Sequence, residues 1–492
     1  MSRALPIFSI VLVYGIVESH VIAHTVSPAR DGARYLSMAL RFEEEPWIDV
    51  IRSSPDHAGY PVFLHTIFRV GRAAGVRESA EVILLAQVAT SLAGLLLIVA
   101  GFFAARRVWG LVPAWAGMIS FAALPRPAWQ LADVLSDGLH AGFFAASAAF
   151  AIRGFNRSSA RPFAAAGLAA SAAYWVRVDA LTLPTATAIA LLVAGLAGKT
   201  RDEWPKMKVF RAAGLYLAGF IPGFAAFVAA AGRLSPKPVA EDLLLGAGAG
   251  PAGAVVAAGI TPPALALGPT FEAVGRVVAD LAQELQFLHV GTAALGLIVL
   301  ARRARPARAG ASGTLIAALV LCHTVVIVLV SARSGYSSGR YFLPVLPFIV
   351  AFGMWGLLEV SAWMRRPGKL PALVLAGVAA SFAFSAPSLL GRRLHENHHG
   401  VIEAGKWIAG HIADGETLHD PYFYPSFLAG LRHRATPSPE PPEGSTLAHY
   451  VIADEGRFPG GADPSRPGEK AADFPRRPGD EERRVAVYRV KR

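Results

Sequence analysis

Asp31 stands in the run SPARDGARYLSMALRFEEEPWIDVIRSSPDHAGYPVFLHTIFRV, residues 27–70, directly after the first long apolar segment of the chain. A carboxylate, several arginines, His57 and aromatics including Tyr60 are thereby held at the mouth of a membrane-embedded protein. Charge set so close to lipid is costly unless it is solvated, paired or used, so the run reads as a functional site. The other reading is a solvated interfacial loop in which Asp31 pairs with Arg30 or Arg34. Further charged positions fall at the ends of apolar segments: Asp137 in SDGL, Arg177 in YWVRVDAL and Arg340 in GRYFLPVLPF. A guanidinium is a planar fork that makes two charge-assisted bonds and never deprotonates, which suits Arg177 and Arg340 to a phosphate. Arg340 also reads as an interfacial arginine snorkelling to water, and Arg177 as the partner of Asp179.

The surrounding chain must hold these groups at a membrane face. Its 492 residues are 53% hydrophobic and 17% charged, with a mean hydropathy of +0.43, and the apolar residues fall in long runs separated by short arginine-rich stretches. That pattern defines a polytopic membrane protein. A helix satisfies its own backbone hydrogen bonds in lipid, and the runs approach the roughly 20 residues needed to cross, so a helical bundle is expected rather than a barrel. Apolar segments read at 5–24, 80–104, 111–124, 138–152, 163–176, 181–196, 212–231, 285–301, 313–331, 341–364 and 370–390, about eleven transmembrane helices. Residues 61–70 are apolar but short and read as a helix lying at the interface. The net charge of +12 sits mostly in short loops, where it sets orientation, and does not point to nucleic acid as a partner. The one cysteine, Cys322, lies in an apolar run and has no intramolecular disulfide partner.

Basic residues collect on the cytoplasmic side of membrane proteins. Treating the first segment as a retained helix with a cytoplasmic start places several basic groups there. They are Arg106 and Arg107; Arg153, Arg157 and Arg161; Lys199, Arg201, Lys206, Lys208 and Arg211; Arg302, Arg303, Arg305 and Arg308; and Arg365, Arg366 and Lys369. The opposite loops mix both signs, so Asp31 and everything after Leu390 face the outside. From Gly391 the chain turns polar. GKWIAGHIADGETLHDPYFYPSFLAG gives one helix and a strand, AHYVIADE and RRVAVYRVKR give two more strands, and the Pro/Gly-rich segments 437–444 and 459–479 read as irregular. His395, His398 and His399 read as an exposed linker, since no acidic or cysteine partner falls at a familiar ligand spacing. The expected fold is mainly α: a polytopic transmembrane helical bundle (1–390) with extracytoplasmic interfacial helices, followed by a small soluble α/β domain (391–492).

In their order, several stretches resemble the C-type glycosyltransferases that use lipid-linked sugars. These are RDGARYLSMA past the first helix, HAGYPVFLHTIFRV, AARRVWG closing the next span, SDGL at 136–139, YWVRVDAL at 174–181 and GRYFLPVLPF at 339–348. The group most similar is glycosyltransferase family 39, the bacterial relatives of protein O-mannosyltransferases and of aminoarabinose transferase. The likeness runs to about Leu390, and a tail opening with a GKWIAGHI-like helix is also seen in bacterial members. The family's first loop often has a second acid after the aspartate, where Gly32 stands here, and its His-Pro-Pro is His57-Ala58-Gly59. The resemblance implies an inverting hexosyl- or pentosyltransferase in the bacterial cytoplasmic (inner) membrane. It would move a sugar from a polyprenyl-phosphate donor to an envelope acceptor (lipid, glycan or protein), with Asp31 as base.

Chemistry can be set beside the resemblance. Transfer from a polyprenyl-phosphate sugar needs a base for the acceptor proton and cations for the departing phosphate. Asp31 is the candidate base; an unperturbed aspartate, with a pKa of about 3.9, takes a hydroxyl proton only as the new bond forms. Arg340, with Tyr341 beside it, and Arg177 are the candidates for the donor phosphate. His57 and Tyr60 are placed to contact phosphate or sugar, although interfacial anchoring explains Tyr60 equally well. Asp137 is the second catalytic candidate, orienting the acceptor or lining the cavity; it and Asp133 also read as helix-start residues favoured by the dipole. No cofactor is called for: a single phosphate flanked by arginines requires no metal, and a divalent cation stays open. Membrane lipid is the other partner. The alternatives are a transporter or lipid flippase, which often shows repeated halves around a midplane site not visible here, and a scaffold whose tail binds partners.

Overall fold

The computed structural model describes residues 4–76, 79–197, 204–245, 267–302, 310–363, 370–419, 435–436, 449–454, 469–478 and 484–490. Helix α1 (Ala4–Ala23) leads into three short helices, α2 (Arg30–Glu44), α3 (Trp47–Ser53) and α4 (Gly59–Ala73). The stretch around Asp31 is therefore helical, not a loop, and the interfacial helix expected at 61–70 is longer at both ends. Amphipathic spacing is the reason. Leu36, Ala39 and Leu40 on one face of α2 meet Tyr60, Leu64 and Phe68 on one face of α4 in a buried cluster, each large side chain contributing about 1.5–3 kcal/mol by its burial.

The bundle continues with α5 (Ser79–Trp109), α6 (Leu111–Ala122), α7 (Pro125–Ala132), α8 (Ser136–Asn156), α9 (Pro162–Val176), α10 (Thr182–Ala197) and α11 (Lys206–Ala231). After the short α12 (Pro238–Leu245) come α13 (Leu267–Arg302), α14 (Gly310–Ser334), α15 (Leu346–Trp363) and α16 (Leu370–Gly391). Among the described residues 8 helices are long and apolar enough to cross a membrane, or 9 if α7 and α8, bent by 107°, are counted as one broken span. Helices α6 and α9 are apolar but shorter. Every expected apolar segment is thus helical, and the chain is a multi-pass integral membrane protein, although not all eleven reach spanning length.

Two boundaries move for physical reasons. Helix α13 starts well before the expected residue 285, because its first half, carrying Glu272, Arg276, Asp280 and Glu284, is an amphipathic helix joined to the apolar half at Gln286, where φ is 54°. Helix α15 starts later than residue 341, since the chain first makes a 3-10 turn over Gly339–Phe342 and Pro344 precedes the helix, while Pro347 is accommodated in its first turn. Helix α8 places Asp137 and Arg153 near opposite ends, about 24 Å apart along its axis, and at the Arg153 end Arg106, Arg153 and Arg157 crowd Arg107. Basic residues thus gather at the end of the bundle away from Asp137. Lys199, Arg201, Arg303, Arg305, Arg308, Arg365, Arg366 and Lys369 lie outside the described residues, as does segment 437–444.

The C-terminal region holds α17 (His399–His411) and a mixed sheet of β1 (Thr417–His419), β2 (Ala435–Thr436), β3 (His449–Asp454), β4 (Glu469–Pro475) and β5 (Arg484–Val490), in the order β2-β1-β3-β5-β4. Strand β1 runs parallel to β2 and β3, and β5 antiparallel to β3 and β4. Strand β4 falls within 459–479, which the proline and glycine content had marked as irregular; pairing with β5 overrides that local signal. The histidine stretch is not a free linker either. The Val26 N–H donates to the Leu394 carbonyl at 3.0 Å and the Leu394 N–H to that of His24 at 3.2 Å. His395 Nε2 lies 2.8 Å from Asp133 Oδ2 and His398 Nδ1 3.0 Å from Ser27 Oγ.

Candidate active site

Asp31 occupies the first turn of α2, where a carboxylate is favoured by the helix dipole. Its Oδ1 accepts from Arg34 Nη2 at 3.0 Å, one turn along, and its Oδ2 from Arg340 Nη1 at 2.9 Å. The first contact is the pairing that local spacing allows; the second joins opposite ends of the sequence. Arg34 Nη2 also reaches Asp56 Oδ2 at 2.8 Å, and Lys237 Nζ reaches Asp56 Oδ1. The Tyr341 ring is near two guanidiniums, with Arg340 at 5.6 Å and Arg177 at 5.0 Å from its centroid. Arg177 in turn holds Asp137 through Nη1 at 2.7 Å and Asp179 through Nε at 3.2 Å. Four cations and four carboxylates therefore follow one another across one end of the bundle.

These neighbours set the protonation states. Burial pushes the Asp31 carboxyl up, but the Arg340 and Arg34 guanidiniums outweigh it and hold Asp31 below its ordinary value. Burial works against the Arg340 cation, and Asp137 and Asp31 more than compensate, so Arg340 is raised; Asp179 and Asp137 do the same for Arg177. At neutral pH Asp31 is an anion and both arginines are cations. The Nε atoms of Arg34 and Arg340 are buried and have no partner among the described residues. Each is an N–H donor that no described group uses.

Of the sequence candidates, Asp31, Asp137, Arg177, Arg340 and Tyr341 come together. His57 sits at the edge of the group, its imidazole stacked on Phe227 at 4.8 Å and edge-on to Tyr174 at 5.7 Å. Burial pushes this imidazole down to about 3, against the pull of Asp179 and aided by Arg177 and Lys237, so it is neutral. Its Nε2 is 3.4 Å from Ser235 Oγ, and its buried Nδ1 has no partner among the described residues. Tyr60 does not join the site. Its ring is fully buried edge-on to Tyr35 at 5.1 Å, and its hydroxyl is taken by Thr90 Oγ1 at 2.6 Å, so it packs the α2–α4 core and neither anchors at the interface nor reaches a ligand.

Lys237 and Asp56 belong to the charge chain and were not singled out by sequence. Their only signal is SPKP after α11 and SPDH before α4, proline-flanked charges that resemble ordinary loops. The two departures from the family pattern acquire a reason. A Cβ on Gly32 would meet the Val134 carbonyl oxygen at 2.7 Å, so the position has no room for a second acid. A Cβ on Gly59 would meet the Trp175 carbonyl group at 2.6 Å. This glycine lets α4 abut the end of α9, immediately before Arg177.

This arrangement of helices is the C-type fold of lipid-linked-sugar glycosyltransferases, the fold expected from the sequence. The chain is similar to ArnT from Cupriavidus metallidurans in the apo state, with 14% identity and a TM-score of 0.60 over 98% of this chain and 97% of that one. It is also similar to ArnT bound to undecaprenyl phosphate, at 13% identity and a TM-score of 0.57 over 99% and 98% of the two chains. The Archaeoglobus fulgidus oligosaccharyltransferase in the apo form matches at 10% identity with a TM-score of 0.60, over 92% of this chain and 70% of that one. No protein-family model matches the sequence, and no curated protein does.

Proposed function

We propose that the protein is an inverting membrane glycosyltransferase that moves a sugar from a polyprenyl-phosphate donor to an envelope acceptor on the outer face of the cytoplasmic membrane. The observation that carries this reading is the contact of Asp31 with Arg340 at 2.9 Å, a base candidate and an oxyanion binder side by side in a C-type fold. ArnT has been solved with undecaprenyl phosphate and the archaeal oligosaccharyltransferase with a dolichol-phosphate, which supports the donor class. In the proposed step the acceptor hydroxyl attacks the anomeric carbon from the face opposite the phosphate. Its proton passes to an Asp31 oxygen as the C–O bond forms, and the bond from carbon to phosphate oxygen breaks with its electron pair left on the phosphate. Arg340 and Arg177 supply positive charge for that oxygen, and the spare Arg340 Nε is one donor for it. Asp137 holds Arg177 in place.

The reading is tested by comparing the masses of envelope lipids, glycans and proteins from cells with and without the protein. Deletion of a transferase removes one defined sugar mass, and the purified protein should restore that mass in vitro from a polyprenyl-phosphate sugar, which a flippase or transporter does not do. Orientation has its own test: reporter fusions after Lys199 and Arg308 should read cytoplasmic, and those after Phe42 and at Arg492 outside. A cytoplasmic signal at Arg492 would put the proposed active face on the wrong side.

A further inference from the structure

Asp133 is 2% exposed; it is the C-cap of α7 and lies in the bend that leads into α8. Its Oδ1 accepts from the Ala29 N–H at 3.0 Å and from the Val134 N–H at 2.7 Å. Its Oδ2 lies 3.2 Å from the same Ala29 nitrogen and 2.8 Å from His395 Nε2. One buried carboxylate thus ties together the residue that opens α2, the bend that leads to Asp137, and the junction between α16 and the C-terminal sheet. The N-cap residue Ala29 has no capping side chain of its own, and the Asp133 carboxylate is the acceptor for its N–H. The C-terminal region touches the same turn a second time: Ala33 is buried in one cluster with Val401, Ala404, Ile408, Leu418 and Val485. A third tie is the backbone pairing of Val26 and Leu394.

We infer that the C-terminal sheet acts as a positioning element for the turn that carries Asp31, through a latch in which His395 holds Asp133 and Asp133 holds the start of α2. Asp133 and His395 are positioning residues; neither touches Asp31. The inference builds on the proposed transferase reading, in which Asp31 must face Arg340 within hydrogen-bond distance. A small rotation of the first turn of α2 would open that contact, and misplacing a reacting group by about 1 Å can cost up to about a hundredfold in rate. The latch therefore gives the C-terminal sheet a part in transfer without a contact to substrate.

The test uses full-length protein in detergent as wild type, His395→Ala and His395→Gln, since glutamine keeps an N–H that can donate to Asp133. Amide hydrogen exchange is read over residues 29–33, binding is read with undecaprenyl phosphate, and transfer is read as donor label entering envelope material. His395→Ala should speed exchange in that turn about tenfold and slow transfer about tenfold, with undecaprenyl phosphate affinity within about twofold of wild type. His395→Gln should restore both exchange and transfer. Unchanged exchange over 29–33 in His395→Ala overturns the inference, and so does a transfer defect that glutamine fails to recover. If wild type transfers nothing, the function reading fails, while the exchange comparison still decides whether the latch holds α2.

Discussion

Asp31→Asn should lower sugar transfer by about two orders of magnitude or more while folding and donor binding survive. Asparagine keeps the shape and one of the two acceptor oxygens that Asp31 gives to Arg34 and Arg340, and it cannot take up the proton. The wild-type pH profile provides a second reading. Arg340 and Arg34 together hold Asp31 below its ordinary value, so it stays anionic to lower pH than an unperturbed aspartate. On the proposed reading the acid limb of transfer should therefore lie at lower pH than an ordinary aspartate would give. The measurement is turnover of the purified protein against pH, for wild type and Asp31→Asn, with thermal unfolding as the check on folding. Near-normal turnover by Asp31→Asn would remove Asp31 from the chemistry.

Arg340→Ala should slow transfer about a hundredfold and weaken donor binding, because charge developing on the leaving oxygen loses a preorganised partner. It also takes from Asp31 the largest of its cationic neighbours, so the acid limb of whatever activity remains should move to higher pH. Lysine keeps the charge but not the fork, and Arg340→Lys should recover only part of the loss. An arginine that served only to anchor at the surface would behave differently, since lysine snorkels about as well. Donor binding and turnover are measured for wild type, Ala and Lys. Equal values in all three would leave Arg177 as the arginine to examine.

Asp31, Arg177 and Arg340 were legible in sequence because each is a charge at the end of an apolar run, and such charges demand an explanation. What each one touches was not legible. Arg34 as a partner of Asp31 follows from helical spacing, but Arg340 reaches it only through the packing of the whole bundle, and Lys237 arrives from a loop that has no pattern of its own. Tyr60 shows the reverse error. An aromatic near a membrane face suits an anchor, and only the pairing of α2 with α4 turns its ring inward onto Tyr35 and Thr90. Strand β4 was hidden by its flanking prolines and glycines, since a strand next to a long antiparallel partner needs little propensity of its own.

The pairing of Asp31 with Arg340 has a consequence for how charge is shared in a turnover. On the proposed reading, a donor phosphate bound by the unpartnered Arg340 Nε would share that guanidinium with Asp31, which holds Nη1 at 2.9 Å. Base and leaving group would then be bridged by one cation, so the proton that neutralises Asp31 would leave the whole charge of Arg340 to the departing phosphate.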